Sequence, residues 1–270
     1  MMPRHGRDDT TLGRRALWVL AILAVALGGY LAYRRLVMGP AAAPETVAEP
    51  PVAVAPEPVI QNPLVSPHAS EPLPQLNESD AAVADGLAAL LGREVFESLF
   101  LTDDLIRRIT ATIDNLPREK VAARLRPLKP MDSPFVAAGG EGDYTLAAGN
   151  YVRYAPYVAI VERLDTDNLA AYYVRLYPLF QQAYVELGNV GGYFNDRVVE
   201  VIDHLLAAPE VQGPIALTRP NVMYQFADPA LESRSAGQKF LVRMGPENAA
   251  RVKAKLRALR ERIAGQAPPA

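Results

Sequence analysis

The stretch "ALWVLAILAVALGGYLAY", Ala16–Tyr33, is an uncharged apolar run bracketed by Arg14 and Arg15 before it and Arg34 and Arg35 after it. A helix that is apolar all round has no wet face, so it does not lie on the surface of a globular domain. Spanning a bilayer takes roughly 20 apolar residues, with about 17 at the low end, and this run meets that length. Trp18, Tyr30 and Tyr33 sit near its ends, where amphipathic rings favour the membrane interface. Basic residues cluster ahead of it at Arg4, Arg7, Arg14 and Arg15, and after Arg35 the next is Arg93. The positive-inside bias therefore predicts a cytoplasmic N-terminus at 1–15, a transmembrane anchor at 16–35 and the rest of the chain outside. A cleaved signal peptide is the alternative, with Ala41–Ala43 as the cleavage site, but the run is long for such a segment and two arginines separate it from that site.

Beyond the run the chain changes character. Pro40, Pro44, Pro50, Pro51, Pro56, Pro58, Pro63, Pro67, Pro72 and Pro74 interrupt a stretch of Ala, Val and Glu. Proline fixes φ and lacks an amide donor, so neither helix nor sheet propagates through it. Residues 36–75 read as a disordered, partly polyproline-II linker that spans on the order of 100 Å when extended.

The chain has 270 residues, half of them hydrophobic, so the portion beyond the linker is long enough for one sizeable core. A formal net charge of -2 gives no reason to expect nucleic acid as a partner. The absence of cysteine excludes disulfides, thiolate metal sites and Cys nucleophiles. Periodicity predicts a mainly α domain over 76–264, with a minor β-hairpin and a disordered tail at 265–270. "NESDAAVADGLAALLG" carries Ser79 as N-cap and Gly92 as stop. "LTDDLIRRITATIDNLP" carries Thr102 as cap, with Leu105, Ile109, Ile113 and Leu116 along one face. "REKVAARL" reads as a short helix. "PFVAAGGEGDYTLAAGN" reads as a hairpin around Gly139, Gly140 and Gly142. Asn150 caps "YVRYAPYVAIVERL". A long helix comes next over "DTDNLAAYYVRLYPLFQQAYVELG", with Pro178 expected to kink or split it near Tyr177. A further helix covers about Phe194 to Ala207, "IALTRPNVMYQFADP" makes short strands or extended arms, and two helices close the domain with Gly245 and Pro246 between them.

The set "LPQLNESD", "DNLP", "LRPLKP", "YPLFQQAY", "GYFNDRVVEVIDHLL" and "AGQKFLVRMGPENAARVKAKLR" resembles an uncharacterised bacterial envelope family, a domain of unknown function. The likeness covers about Leu76 to Ile263. It implies a single-pass protein with an outward domain, and it brings no catalytic residue; with the charge bias, the expected place is the bacterial inner membrane with the domain in the periplasm.

Three constellations are candidates for function. On the helix after Gly191, Asp196, Glu200 and Asp203 share a face, and Glu200 with His204 is an i, i+4 pair. A carboxylate and an imidazole so placed can do acid–base work or share a metal. However, His204 is the only histidine after residue 68, and the opposite face, with Val198, Val199, Ile202, Leu205 and Leu206, is that of an ordinary surface helix. Glu200, Asp203 and His204 stand as catalytic candidates, with no metal site and no cofactor expected. Second, Tyr173, Tyr177, Gln181 and Tyr184 recur at i, i+4, i+8 and i+11, with Arg153, Arg175 and Arg197 nearby in sequence. Tyr with Arg is the composition of binding hot spots, and also of an amphipathic core whose hydroxyls find partners. These four are the candidate binding residues. Third, Arg251, Lys253, Lys255, Arg257, Arg260 and Arg262 alternate with Val252, Leu256, Leu259 and Ile263, the pattern of a docked terminal helix or of a helix on an anionic surface. The sequence thus predicts a non-enzymatic adaptor or binding module, held to the inner membrane through residues 16–35 and engaging an envelope protein or peptidoglycan. The alternative is a hydrolase of cell-wall glycan with an acidic general acid.

Overall fold

The computed structural model describes residues 59–64, 72–140 and 142–265. The predicted anchor and most of the linker lie outside them, and no helix among the described residues is long and apolar enough to cross a membrane.

Helix α1, Asp80–Leu91, ends at Gly92, whose φ of 88° is open to glycine and costly for other residues. The chain does not leave the helix there. A second helix, α2 (Arg93–Leu99), starts at the next residue, anchored by the buried Phe96 ring stacked on Phe100 at 5.2 Å. Periodicity in the sequence carries no sign of it. Helix α3 is Leu105–Asn115, and its cap is not Thr102. Asp104 enters at φ 53°, and the amides of Asp104 and Leu105 donate to the Asp80 carboxylate of α1 at 2.8 and 2.9 Å. One helix therefore satisfies the open amides of another, which no local pattern encodes.

"REKVAARL" forms only a 3-10 turn at Ala123–Leu125. So short a segment between two prolines cannot offset the cost of nucleating a helix. Its carbonyls are tied to α3 instead, Arg124 O by the Arg108 guanidinium at 2.6 Å and Leu125 O by the Thr112 hydroxyl at 2.8 Å.

The expected hairpin is present as β1 (Ala137–Ala138) and β2 (Tyr144–Leu146), and the later arms are β3 (Ala216–Thr218) and β4 (Gln225–Phe226). They join into one antiparallel sheet of order β1-β2-β3-β4, with Leu146, Leu217 and Phe226 buried against Val242. Helix α4, Gly149–Arg163, is not capped by Asn150. That side chain is fully buried and pins β1 to the helix, accepting from Val136 N and donating to Val136 O.

Helix α5, Thr166–Glu186, runs unbroken past Pro178, contrary to the expected split. Pro178 is exposed, and Leu176, Leu179 and Phe180 on either side of it are buried, so packing of both turns holds the helix across one missing hydrogen bond. Helix α6 is Phe194–Leu206, close to the sequence reading. Where one helix was expected after Asp228 there are two, α7 (Pro229–Glu232) and α8 (Ala236–Arg243), because Ser235 restarts the chain by accepting from Gln238 N.

Helix α9, Pro246–Ile263, docks on α4, α5 and α6. Its cations serve the ends of neighbouring helices. Lys253, buried, donates to Ala208 O beyond α6 at 2.7 Å, and Lys255 donates to Leu164 O beyond α4 at 2.5 Å. Arg260 grips Asp203 through two nitrogens at 2.6 and 2.9 Å. The basic stripe is thus largely a docking device, with helix-end carbonyls and carboxylates as its counterparts.

The main core joins α1, α2, α3, α5, α6 and the end of α9 around Val83, Phe96, Leu105, Phe180, Phe194 and Ile263. A second cluster, with Tyr154, Val201, Leu205 and Leu241, lies among α4, α6, α8 and α9.

Candidate functional site

The N-terminal end of α6 is built from the inside out. Phe194 and Asn195 are fully buried, so the first residues of the helix are fixed in the core. Gln181 of α5 secures the turn before them: its Nε2 donates to Gly192 O at 2.7 Å, and its Oε1 accepts from Phe194 N at 2.8 Å and from the Tyr177 hydroxyl at 2.7 Å. The Tyr173 hydroxyl donates to Asn195 Oδ1 at 3.1 Å. The Tyr177 ring meets the Tyr193 ring at 5.2 Å, and Tyr184 meets Phe194 at 5.2 Å.

This frame holds Tyr193, Asn195 and Asp196 toward another part of the chain. The Asp196 carboxylate accepts from Gln61 N at 3.0 Å, Asn62 N at 2.6 Å and Asn62 Nδ2 at 3.0 Å. Asn195 Nδ2 donates to Asn62 O at 2.9 Å and to Ile263 O at 2.7 Å. Gly265 N donates to Asn62 Oδ1 at 3.2 Å, and the Tyr193 hydroxyl accepts from Leu64 N at 3.0 Å. Pro63, which has no amide to satisfy, lies so close to Gly265 that a Cβ there would come within 3.0 Å of its ring. Leu64 and Leu73 pack on the main core. Gln61–Leu64, which the sequence assigns to the disordered linker, are therefore seated on the domain. Every polar group of Asn62 has a partner, and its two donors join Gln61 N on the Asp196 carboxylate, which makes the three bonds charge-assisted.

The structure does not bring the four predicted binding residues to one opening: Tyr173 borders an apolar cavity of about 170 Å³ with Val83, Tyr172 and Leu259, and Tyr177, Gln181 and Tyr184 do not. Tyr184 is buried, and Tyr173, Tyr177 and Gln181 are half-buried and spend their polar atoms internally. Burial, reinforced by the neighbouring tyrosines, drives the Tyr173 hydroxyl far above the ordinary tyrosine range, and burial with the Tyr193 hydrogen bond does the same at Tyr177. Both stay neutral donors and act as the frame that positions Tyr193, Asn195 and Asp196.

The three catalytic candidates point to three different partners. Glu200 is exposed and pairs with Arg197 at 2.9 Å, while Arg197 also reaches the Asp114 carboxylate at 3.0 Å. Asp203 is held by Arg260. His204 Nε2 lies 2.8 Å from the Ser235 hydroxyl. That contact is the nearest approach to a nucleophile–base pair, and Ser235 borders an open depression of about 610 Å³ with Glu119, Phe226 and Glu232. Yet Ser235 is the cap of α8, and the next amides, Ala236 N and Gly237 N, already donate to Arg118 O and Leu116 O. Those amides are not free to stabilise an oxyanion. Among the described residues no three His, Asp or Glu side chains group as metal ligands.

Local patterns do not reveal the seated segment, because its hydrogen bonds to the seat span 129 residues or more. One local signal was there: between residues 36 and 74 the only carboxamide side chains are Gln61 and Asn62, followed by Pro63. A family model described as Protein of unknown function (DUF3014) matches residues 105–260. No curated protein and no solved structure matches the chain.

Proposed function

The chain belongs to the DUF3014 family of proteins of unknown function, and from its own sequence and the geometry of the seat we propose that it is a single-pass, membrane-anchored adaptor of the bacterial envelope whose periplasmic domain binds peptide segments. The observation that carries this reading is the seat at Tyr193–Asp196. It takes the main-chain groups of Gln61, Asn62 and Leu64 together with one side-chain amide. Main-chain bonds supply affinity for any peptide, and the pocketed side chain supplies selectivity. The sequence supports the anchor at 16–35 and the proline-rich tether that carries the domain away from it. The acids of α6 are engaged by Asp114-bound Arg197 and by Arg260, which suits a scaffold better than a general acid.

The partner is an envelope protein presenting a short non-helical segment. Crosslinking in intact cells, followed by affinity purification of the full-length protein and mass spectrometry, tests this. One dominant envelope protein is expected, and it should be lost in Asp196→Ala, which alters the seat and leaves the core untouched. Recovery of cell-wall glycan alone, or the same proteins from both chains, would remove the adaptor reading.

A further inference from the structure

The linker segment on this seat has the form of a ligand. It is non-helical, bends at Gln61 and Asn62, and is held through groups that any peptide of the same pattern would offer. The pattern itself is narrow. The Asn62 side chain both donates, to Asp196, and accepts, from Gly265 N. An aspartate in its place would set two carboxylates side by side. The next position lies between two residues whose amides are used and offers none itself, which suits Pro63. The position after it is apolar and packs on the core.

The attachment is short as well. Residues 65–71 connect Leu64 to Pro72, and both Leu64 and Leu73 lie against the same core cluster. A short link gives its own segment an effective concentration on the order of millimolar, which outcompetes free peptide of ordinary affinity.

We propose that Gln61–Leu64 is an internal ligand: this Asn-Pro segment occupies the Tyr193–Asp196 seat in cis and must leave it before an external peptide of the same pattern can bind. The inference rests on the adaptor reading for its biological use, since the external peptide is then the partner's. It makes the tether a regulator of the domain it carries. Any pull or modification that withdraws Asn62 opens the seat.

The test uses the full-length protein and the labelled peptide VIQNPLVS, residues 59–66. Asn62→Asp opens the latch without changing side-chain size. Hydrogen exchange should show the amides of Asn62 and Leu64 protected in the wild type. They should exchange at least tenfold faster in Asn62→Asp, while Ile106 and Val201 in the cores stay protected in both, which reports that the variant is folded. The opened chain should bind the peptide at least tenfold more tightly than the wild type, the discount set by cis competition. Asp196→Ala added to the opened chain should abolish that binding. Equal exchange in the two chains, equal peptide affinity, or an opened chain that ignores the peptide each overturns the proposal. Protection that fades on dilution also overturns it, because the segment would then come from a second copy. Peptide capture by the opened chain with no envelope partner in cells would remove the adaptor and leave the latch. A partner held equally by closed and opened chains would do the reverse.

Discussion

Asn195 shows how much of the seat depends on one side chain. It is fully buried, takes the Tyr173 hydroxyl on Oδ1, and divides its amide between Asn62 O and Ile263 O. Asn195→Asp keeps the volume and replaces both donors with lone pairs facing two carbonyls. A buried, unpaired carboxylate in that position should cost about 3 kcal/mol, read as a lower urea midpoint at unchanged slope. A loss below about 0.5 kcal/mol would mean that the site is wetter than its burial implies. Glu232 makes a pH-dependent contribution. Burial alone would raise its carboxyl, but the Lys239 ammonium at 2.9 Å, the Phe226 amide and the charge of Arg243 hold it below the ordinary value of 4.5. Its folded pKa therefore lies under its unfolded one. The stabilisation is fully present above pH 4.5 and is lost as pH falls through the folded value. Glu232→Gln, which leaves buried Lys239 without its counter-ion, should cost about 2 kcal/mol at neutral pH. Urea midpoints of the two chains should converge on acidification below that range, and a gap constant down to strong acid would rule out this linkage.

At the scale of elements, the helices with a clean apolar stripe and a local stop were legible. α1 ended at Gly92, α6 spanned the residues its periodicity marked, and Gly245 with Pro246 separated α8 from α9. What periodicity could not show was set by contacts between elements. The cap of α3 comes from Asp80 on α1, the continuity of α5 through Pro178 comes from the packing on either side, and α2 owes its place to Phe96. The crossing of α1 over α5 is equally a matter of contact. A Cβ on Gly86 would lie 2.4 Å from the ring of Tyr172, whose hydroxyl donates to Val83 O on the same helix. The nearest atom is the Tyr172 hydroxyl, with ring carbons just behind it, and that end is not free to swing aside because it is bonded to Val83 O. Gly86→Ala should therefore destabilise the protein by about 2 kcal/mol, although alanine is the better helix former by about 1 kcal/mol. Tyr172→Ala removes the obstacle, so the double variant should be less damaged than the sum of the singles. Strict additivity in thermal unfolding would mean that the helices adjust without the ring.

At the scale of the whole molecule, the apolar run and most of the proline-rich stretch lie outside the described residues, and within them the sequence was opaque at the seat. Charge asymmetry, an apolar run and a proline-rich stretch are local signals, and they read in order along the chain. The seat joins Asn62 to Asn195 and Gly265, three positions that only the fold brings together, so the tyrosine frame beneath it looked in sequence like the site itself. On the proposed latch, the tether would have two lengths. With the latch closed, residues 36–60 would reach roughly 80 Å, and with it open residues 36–71 would reach roughly 110 Å, since Leu73 packs on the core, at about 3.1 Å per extended residue. Such a range matters only if residues 16–35 anchor the chain in a membrane with the domain outside it, and the absence of cysteine makes that directly measurable. A single cysteine at exposed Ser133 in one variant, and at His5 in another, is the sole thiol in each chain. A membrane-impermeant maleimide applied to cells with a permeabilised outer membrane should label Ser133→Cys and spare His5→Cys until the inner membrane is breached. Labelling of His5→Cys first would invert the topology. Equal labelling of both, with the protein recovered from the soluble fraction, would mean that the run at Ala16–Tyr33 anchors nothing, and the two tether lengths would then have no membrane to measure from.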